Sequence, residues 1–191
     1  MDNGMEGKVE MKMNSKGRVN GRELYLRLFA LLLTLAAVFV MGLNKQSKVI
    51  SMKILANFPP VDVPVTAKWK YQSAFVYHMV ANLIACSYAA ASLLVLLASK
   101  GGRKRGLAVS IIVVLDLVMV ALLFSSSSAA AAIGVLGYTG NSHVQWHKVC
   151  NAFGKFCEQA AAGIGLSQLG GLAFLLLVAY KALGAHNNMP N

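Results

Sequence analysis

Residues 107–132 read LAVSIIVVLDLVMVALLFSSSSAAAA, with no glycine, no proline and a single charge at Asp116. A bilayer core of about 30 Å takes roughly 20 helical residues to cross at about 1.5 Å each. This stretch is long enough. It has neither the polar alternation of a half-buried strand nor the wide charged stripe of a soluble helix. Three further stretches share these properties, at 24–43, 75–98 and 161–183. Backbone groups in lipid must satisfy one another within the segment, so the four read as helices rather than strands. The expected fold is an all-α membrane protein, a four-transmembrane-helix bundle.

The rest of the composition fits around that frame. Of 191 residues, 57% are hydrophobic and 13% charged. The longest loop, at about thirty residues, is too short for a core of its own, so one membrane domain spans 24–183. It is flanked by a polar segment, 1–23, expected to be disordered and cytoplasmic, and by a short tail, 184–191. The net charge of +11 raises nucleic acid as a partner. The basic residues flank the spans, however, and no aromatic–basic interleaving accompanies them, so lipid is the expected partner and nucleic acid is not. The first apolar run follows 23 polar residues and exceeds a signal-peptide core, so span one is expected to stay as an uncleaved anchor.

Charge density orients the bundle. Lys100, Arg103, Lys104 and Arg105 crowd the short loop between spans two and three. Lys8, Lys12, Lys16, Arg18 and Arg22 precede span one, and Lys181 is read with the tail. Lys45, Lys48, Lys53, Lys68 and Lys70 in loop one, with Lys148 and Lys155 in the last loop, lie on the opposite side. The dense cluster is expected to stay inside, which with four spans puts both termini in the cytoplasm.

Loop one, 44–74, contains Asn57-Phe58-Pro59-Pro60 and Pro64, whose prolines favour an extended or turning path over regular structure. Trp69, Tyr71, Phe75 and Tyr77 read as an interfacial aromatic belt. Ala81, Ala85 and Ala89 in span two, and Ser126, Ala130 and Gly134 in and beyond span three, fall at spacing four. Such small-residue stripes let helices approach closely, and the expectation is that they serve self-association.

Asp116 lies near the midplane, where an unpaired carboxylate costs several kcal/mol. Arg27 is read as the one basic residue within a span core. One reading has it snorkel to the interface; the other pairs it with Asp116 across spans that run in the same direction. Asn82 and Gln168 are the remaining candidates for polar contacts between helices. Cys150 and Cys157 share the last loop, oxidising on this topology, and are expected to form a disulfide. Zinc ligation by these two with His143 and His147 is the alternative, disfavoured in an oxidising compartment. Cys86 reads as a packing residue and His78 as an interfacial filler. No catalytic motif or cofactor motif is present.

These residues carry a resemblance. Arg27, Asp116, the run Ala129-Ala-Ala-Ala-Ile-Gly-Val-Leu-Gly-Tyr138, then Gly140-Asn141-Ser142-His143, Trp146, Val149-Cys150-Asn151, Phe153 and Phe156-Cys157 make the chain similar to the plant Casparian strip membrane protein-like family from about residue 22 to 183. The resemblance implies a MARVEL-like four-helix protein of the plasma membrane that forms homo- and hetero-oligomers with related four-span proteins. Strip-forming members organise membrane domains and gather secreted wall-modifying enzymes. Loop one, 44–74, lacks the short signature of those members, which points to a general member. The expected function is a non-enzymatic membrane scaffold without cofactor or metal. The alternative is a small channel or transporter subunit using the Arg27–Asp116 pair, with a membrane enzyme third.

Overall fold

The computed structural model describes residues 21–52, 61–98, 105–144, 146 and 148–186. The polar segment 1–20, the tip of loop one with Lys53 and Asn57-Phe58-Pro59-Pro60, residues 99–104 of the basic cluster, His147 and residues 187–191 lie outside the described residues.

Four helices are long and apolar enough to cross a membrane. They are α1 (Gly21–Gly42), α2 (Ser73–Ala98), α3 (Arg105–Thr139) and α5 (Gly154–His186), with a one-turn α4 (Val149–Ala152) before the last. α1 packs on α2 and α5, and α3 packs on α2 and α5, so the four close into a ring. Both described ends of the chain, the end of α2 and the start of α3 lie at one end of the bundle, here the terminal end. The described parts of loop one and of the last loop lie at the other, the loop end.

α3 runs seven residues beyond the expected 132, and α5 begins seven before the expected 161. Hydropathy sees only the apolar part of a helix. Lys155, Glu158 and Gln159 are good helix formers that simply lie above the apolar stretch. α3 stops where Gly140 takes a positive φ of 70°. A Cβ there would sit 2.9 Å from the Trp146 carbonyl oxygen, so the turn demands glycine.

Loop one is the departure from an all-α chain. β1 (Lys45–Met52) and β2 (Val61–Lys68) form an antiparallel hairpin in which Lys45 faces Lys68 and Val49 faces Pro64. A two-stranded sheet is all edge, which is where proline is tolerated. The hairpin is seated on the helix ends. Phe156 N–H, an orphan donor in the first turn of α5, donates to Gln46 Oε1 at 2.9 Å. Asn44 Nδ2 donates to the Phe156 carbonyl at 2.9 Å, and Trp69 Nε1 to the Gly42 carbonyl that ends α1, at 3.2 Å.

The interior is layered. At the loop end Met41, Phe75, Met79, Ala130, Phe153, Phe156, Ala160 and Ile164 pack together. Toward the terminal end Ala30, Ala85, Ala89, Met119, Leu123, Ala173, Phe174 and Leu177 form a second apolar layer. Phe75 therefore belongs to the core, edge-on to Phe156, rather than to an aromatic belt. His78 is likewise interior, not interfacial: it is buried beside Asn82, whose Nδ2 donates to the His78 carbonyl at 2.8 Å.

The small residues are spent inside the bundle. Ala81, Ala85, Ala89, Ser126 and Ala130 are fully buried within the single chain, which removes them from any surface for self-association. Gly170 and Gly171 continue the pattern: a Cβ on either would come within 3.1 Å of Thr34 and Phe124 respectively. Gly134 alone of the six stripe residues is partly exposed, and a Cβ there meets nothing within 4 Å.

Candidate functional site: a buried charge cluster

Toward the terminal end, rather than near the midplane expected for Asp116, every spanning helix sends a polar side chain into one place. Arg27 on α1 and Asp116 on α3 are 1% and 0% exposed. The guanidinium meets the carboxylate as a fork, Nη1 to Oδ1 at 3.2 Å and Nη2 to Oδ2 at 3.0 Å. Two parallel charge-assisted bonds give both strength and a fixed orientation, which a lysine at position 27 would not provide. Arg27 Nη1 also donates to Ser92 Oγ on α2 at 2.8 Å, and its Nε lies 3.4 Å from Glu23 Oε1, one turn earlier on α1. The Tyr88 hydroxyl, also on α2, donates to Asp116 Oδ1 at 2.7 Å.

Lys181 on α5 completes the set, with Nζ 3.0 Å from Glu23 Oε1 and 3.7 Å from Asp116 Oδ2. Two cations and two carboxylates make the cluster neutral. Neutrality is what a low-dielectric interior requires, since an isolated ion there costs several kcal/mol. Lys181 and Glu23 retain 11% and 18% exposure, so the outer edge of the cluster meets solvent while the Arg27–Asp116 fork does not.

The sequence reading put Lys181 with the tail and Arg27 as the one basic residue in a span core; Lys181 in fact enters the same cluster from span four. Glu23, Tyr88 and Ser92 were also missed. Their signals are spacing: Glu23 and Arg27 are an i,i+4 pair, and Tyr88 and Ser92 are another, about two to three turns before the end of α2.

The other candidates separate into different regions. Cys150 and Cys157 form a disulfide at the loop end, with Cα atoms 5.7 Å apart, which occupies both thiols of the zinc alternative; His143 is exposed. Among the described residues no group of three or more metal-ligating side chains converges. Cys86 is a half-buried free thiol. Asn82 lies in the interior, and Gln168 lines a groove at the loop end. Ser127 donates to Ser167 at 3.2 Å and ties α3 to α5 near mid-membrane.

No solved structure matches the chain. Residues 16–173 match the Casparian strip membrane protein domain. The chain is similar to CASP-like protein 1E2 of Vitis vinifera, 58% identical over 181 residues that cover 94% of this chain and 91% of that protein. It is similar also to CASP-like protein 1E1 of Glycine max, at 52% identity with 86% of each covered. For CASP-like protein 1E1 of Arabidopsis thaliana the identity is 46%, with 94% and 93% covered. Four apolar spanning helices, the cluster that joins them, and a domain match over most of the length make this chain a multi-pass membrane protein that belongs to the Casparian strip membrane protein-like family.

Proposed function

We propose that the protein is a non-enzymatic scaffold of the plasma membrane, with both termini in the cytoplasm, that self-associates and joins related four-span proteins into a lateral platform. Its hairpin and disulfide loop then face the wall, where they position secreted wall-modifying enzymes.

The observation that carries this reading is the neutral charge cluster, open to solvent only at its outer edge and backed by an apolar layer. A conduction or proton path needs polar groups in series across the membrane. Here the cluster is sealed toward mid-membrane by Ala30, Ala85, Ala89, Met119, Leu123, Phe174 and Leu177. Its fork is saturated by partners from the other helices. Such a cluster fixes the relative positions of four helices, as a scaffold requires. The outward faces carry large apolar side chains such as Leu32, Phe39, Leu83, Leu94, Val114 and Leu176, suited to lipid and to neighbouring helices.

The test is cross-linked mass on blue-native gels with proximity labelling in plant cells. Higher-order species and neighbours among related four-span proteins and wall enzymes are expected. A monomer with no recurring neighbours contradicts the proposal.

A further inference from the structure

α3 and α5 close on each other at mid-membrane and part toward the loop end. Ser127 and Ser167 bond there, and Gly171 lets Phe124 approach. The parting leaves a groove of about 500 Å³. One wall is Ala131 and Gly134 of α3, and the other is Ala161 and Gly165 of α5. A Cβ at Gly134 or Gly165 meets no atom within 4 Å, so the two glycines look onto the open groove. Trp146 and the Cys150–Cys157 loop roof it, and Tyr138 and Gln72 border its mouth. Gln168 marks the inner end.

The dimensions select the occupant. From Cys157 to Gln168 is eleven helical residues, about 16 Å, which is close to one leaflet of a core about 30 Å thick. The groove runs between two spanning helices, so the bilayer supplies its occupant. The lining is overwhelmingly apolar, and its hydrogen-bonding groups concentrate at the mouth, where aromatic residues meet the interface. Small residues make a smooth floor. A rigid flat body docks there without the ordering cost that a flexible acyl chain incurs.

We propose that the α3–α5 groove is a binding site for one membrane sterol, its ring system against the Gly134–Gly165 floor and its hydroxyl at Tyr138 and Gln72. The site needs only insertion in a bilayer and stands apart from the platform reading, so either can fail alone.

Full-length protein in phosphatidylcholine nanodiscs is irradiated with a photoreactive sterol, and the labelled peptides are mapped. Labels are expected within residues 131–138 and 157–168. Gly134→Leu and Gly165→Leu, which fill the groove, should lower labelling by about tenfold or more. Leu28→Ala, on the outward face of α1 and outside the groove, should leave it intact. Unlabelled sterol should compete, and added phosphatidylcholine should not. Unfolding temperature and an intact disulfide show whether each variant is folded. Labels confined to other surfaces of the unaltered protein overturn the proposal, a result independent of any variant. So do undiminished labelling in both folded glycine variants, or equal competition by phospholipid.

Discussion

The carboxylate of Asp116 is held by Arg27, Tyr88 and Lys181, side chains from three other helices. Its removal strands Arg27 and Lys181 against Glu23 alone. Asp116→Asn should therefore destabilise the bundle by about 3–5 kcal/mol, the usual consequence of breaking a buried pair. The Arg27→Asp, Asp116→Arg exchange should recover part of this, less than all because Glu23 and Lys181 stay in place. Thermal unfolding in detergent, with surface delivery in cells, measures both; normal unfolding and delivery of Asp116→Asn would contradict the structural role. Arg27 and Asp116 stood out in the sequence because an ion at that depth demands a partner. Lys181 and Glu23 did not, because charges within a turn of a span end look like ordinary flanks, and only packing shows that their side chains turn inward. Tyr88 and Ser92 carry no charge and break no hydropathy pattern.

Among the elements, helix type and number were legible because lipid leaves the backbone no other solution. Helix ends were not, since polar helix formers such as Glu158 extend α5 above its apolar stretch. The hairpin escaped notice behind Pro64, which an edge strand tolerates. The small-residue stripes were visible, but spacing alone does not say whether the close partner is the same chain or another. Burial assigns Ala85 and Ala89 to the interior, so Ala85→Leu should overpack the core and cost about 1–3 kcal/mol of bundle stability. Thermal unfolding of the dispersed monomer reads this out; a variant with unchanged monomer stability and weakened oligomers would return the stripe to the subunit surface. The Cys150–Cys157 bridge closes a short loop, for which chain-entropy models give about 2–3 kcal/mol. Cys150→Ser should lower the unfolding temperature, and maleimide should label Cys150 and Cys157 only after reduction. Labelling of both without reductant would refute the bridge in the native protein.

At the scale of the molecule, the proposed orientation places the charge cluster toward the cytoplasm and the hairpin toward the wall. Terminal tags should be inaccessible in intact cells, while a tag at Asn57 or Ser142 should be accessible; surface labelling of the N-terminal tag would invert the topology and remove the oxidising context of the disulfide. The central claim, a self-associating platform rather than a conductor, is tested most directly by the lateral mobility of the tagged full-length protein in plant plasma membrane, taken together with ion flux after reconstitution of the protein alone. The account predicts slow, clustered diffusion and no flux above that of protein-free vesicles. A freely diffusing monomer that carries a measurable flux, abolished by Asp116→Asn, would contradict it.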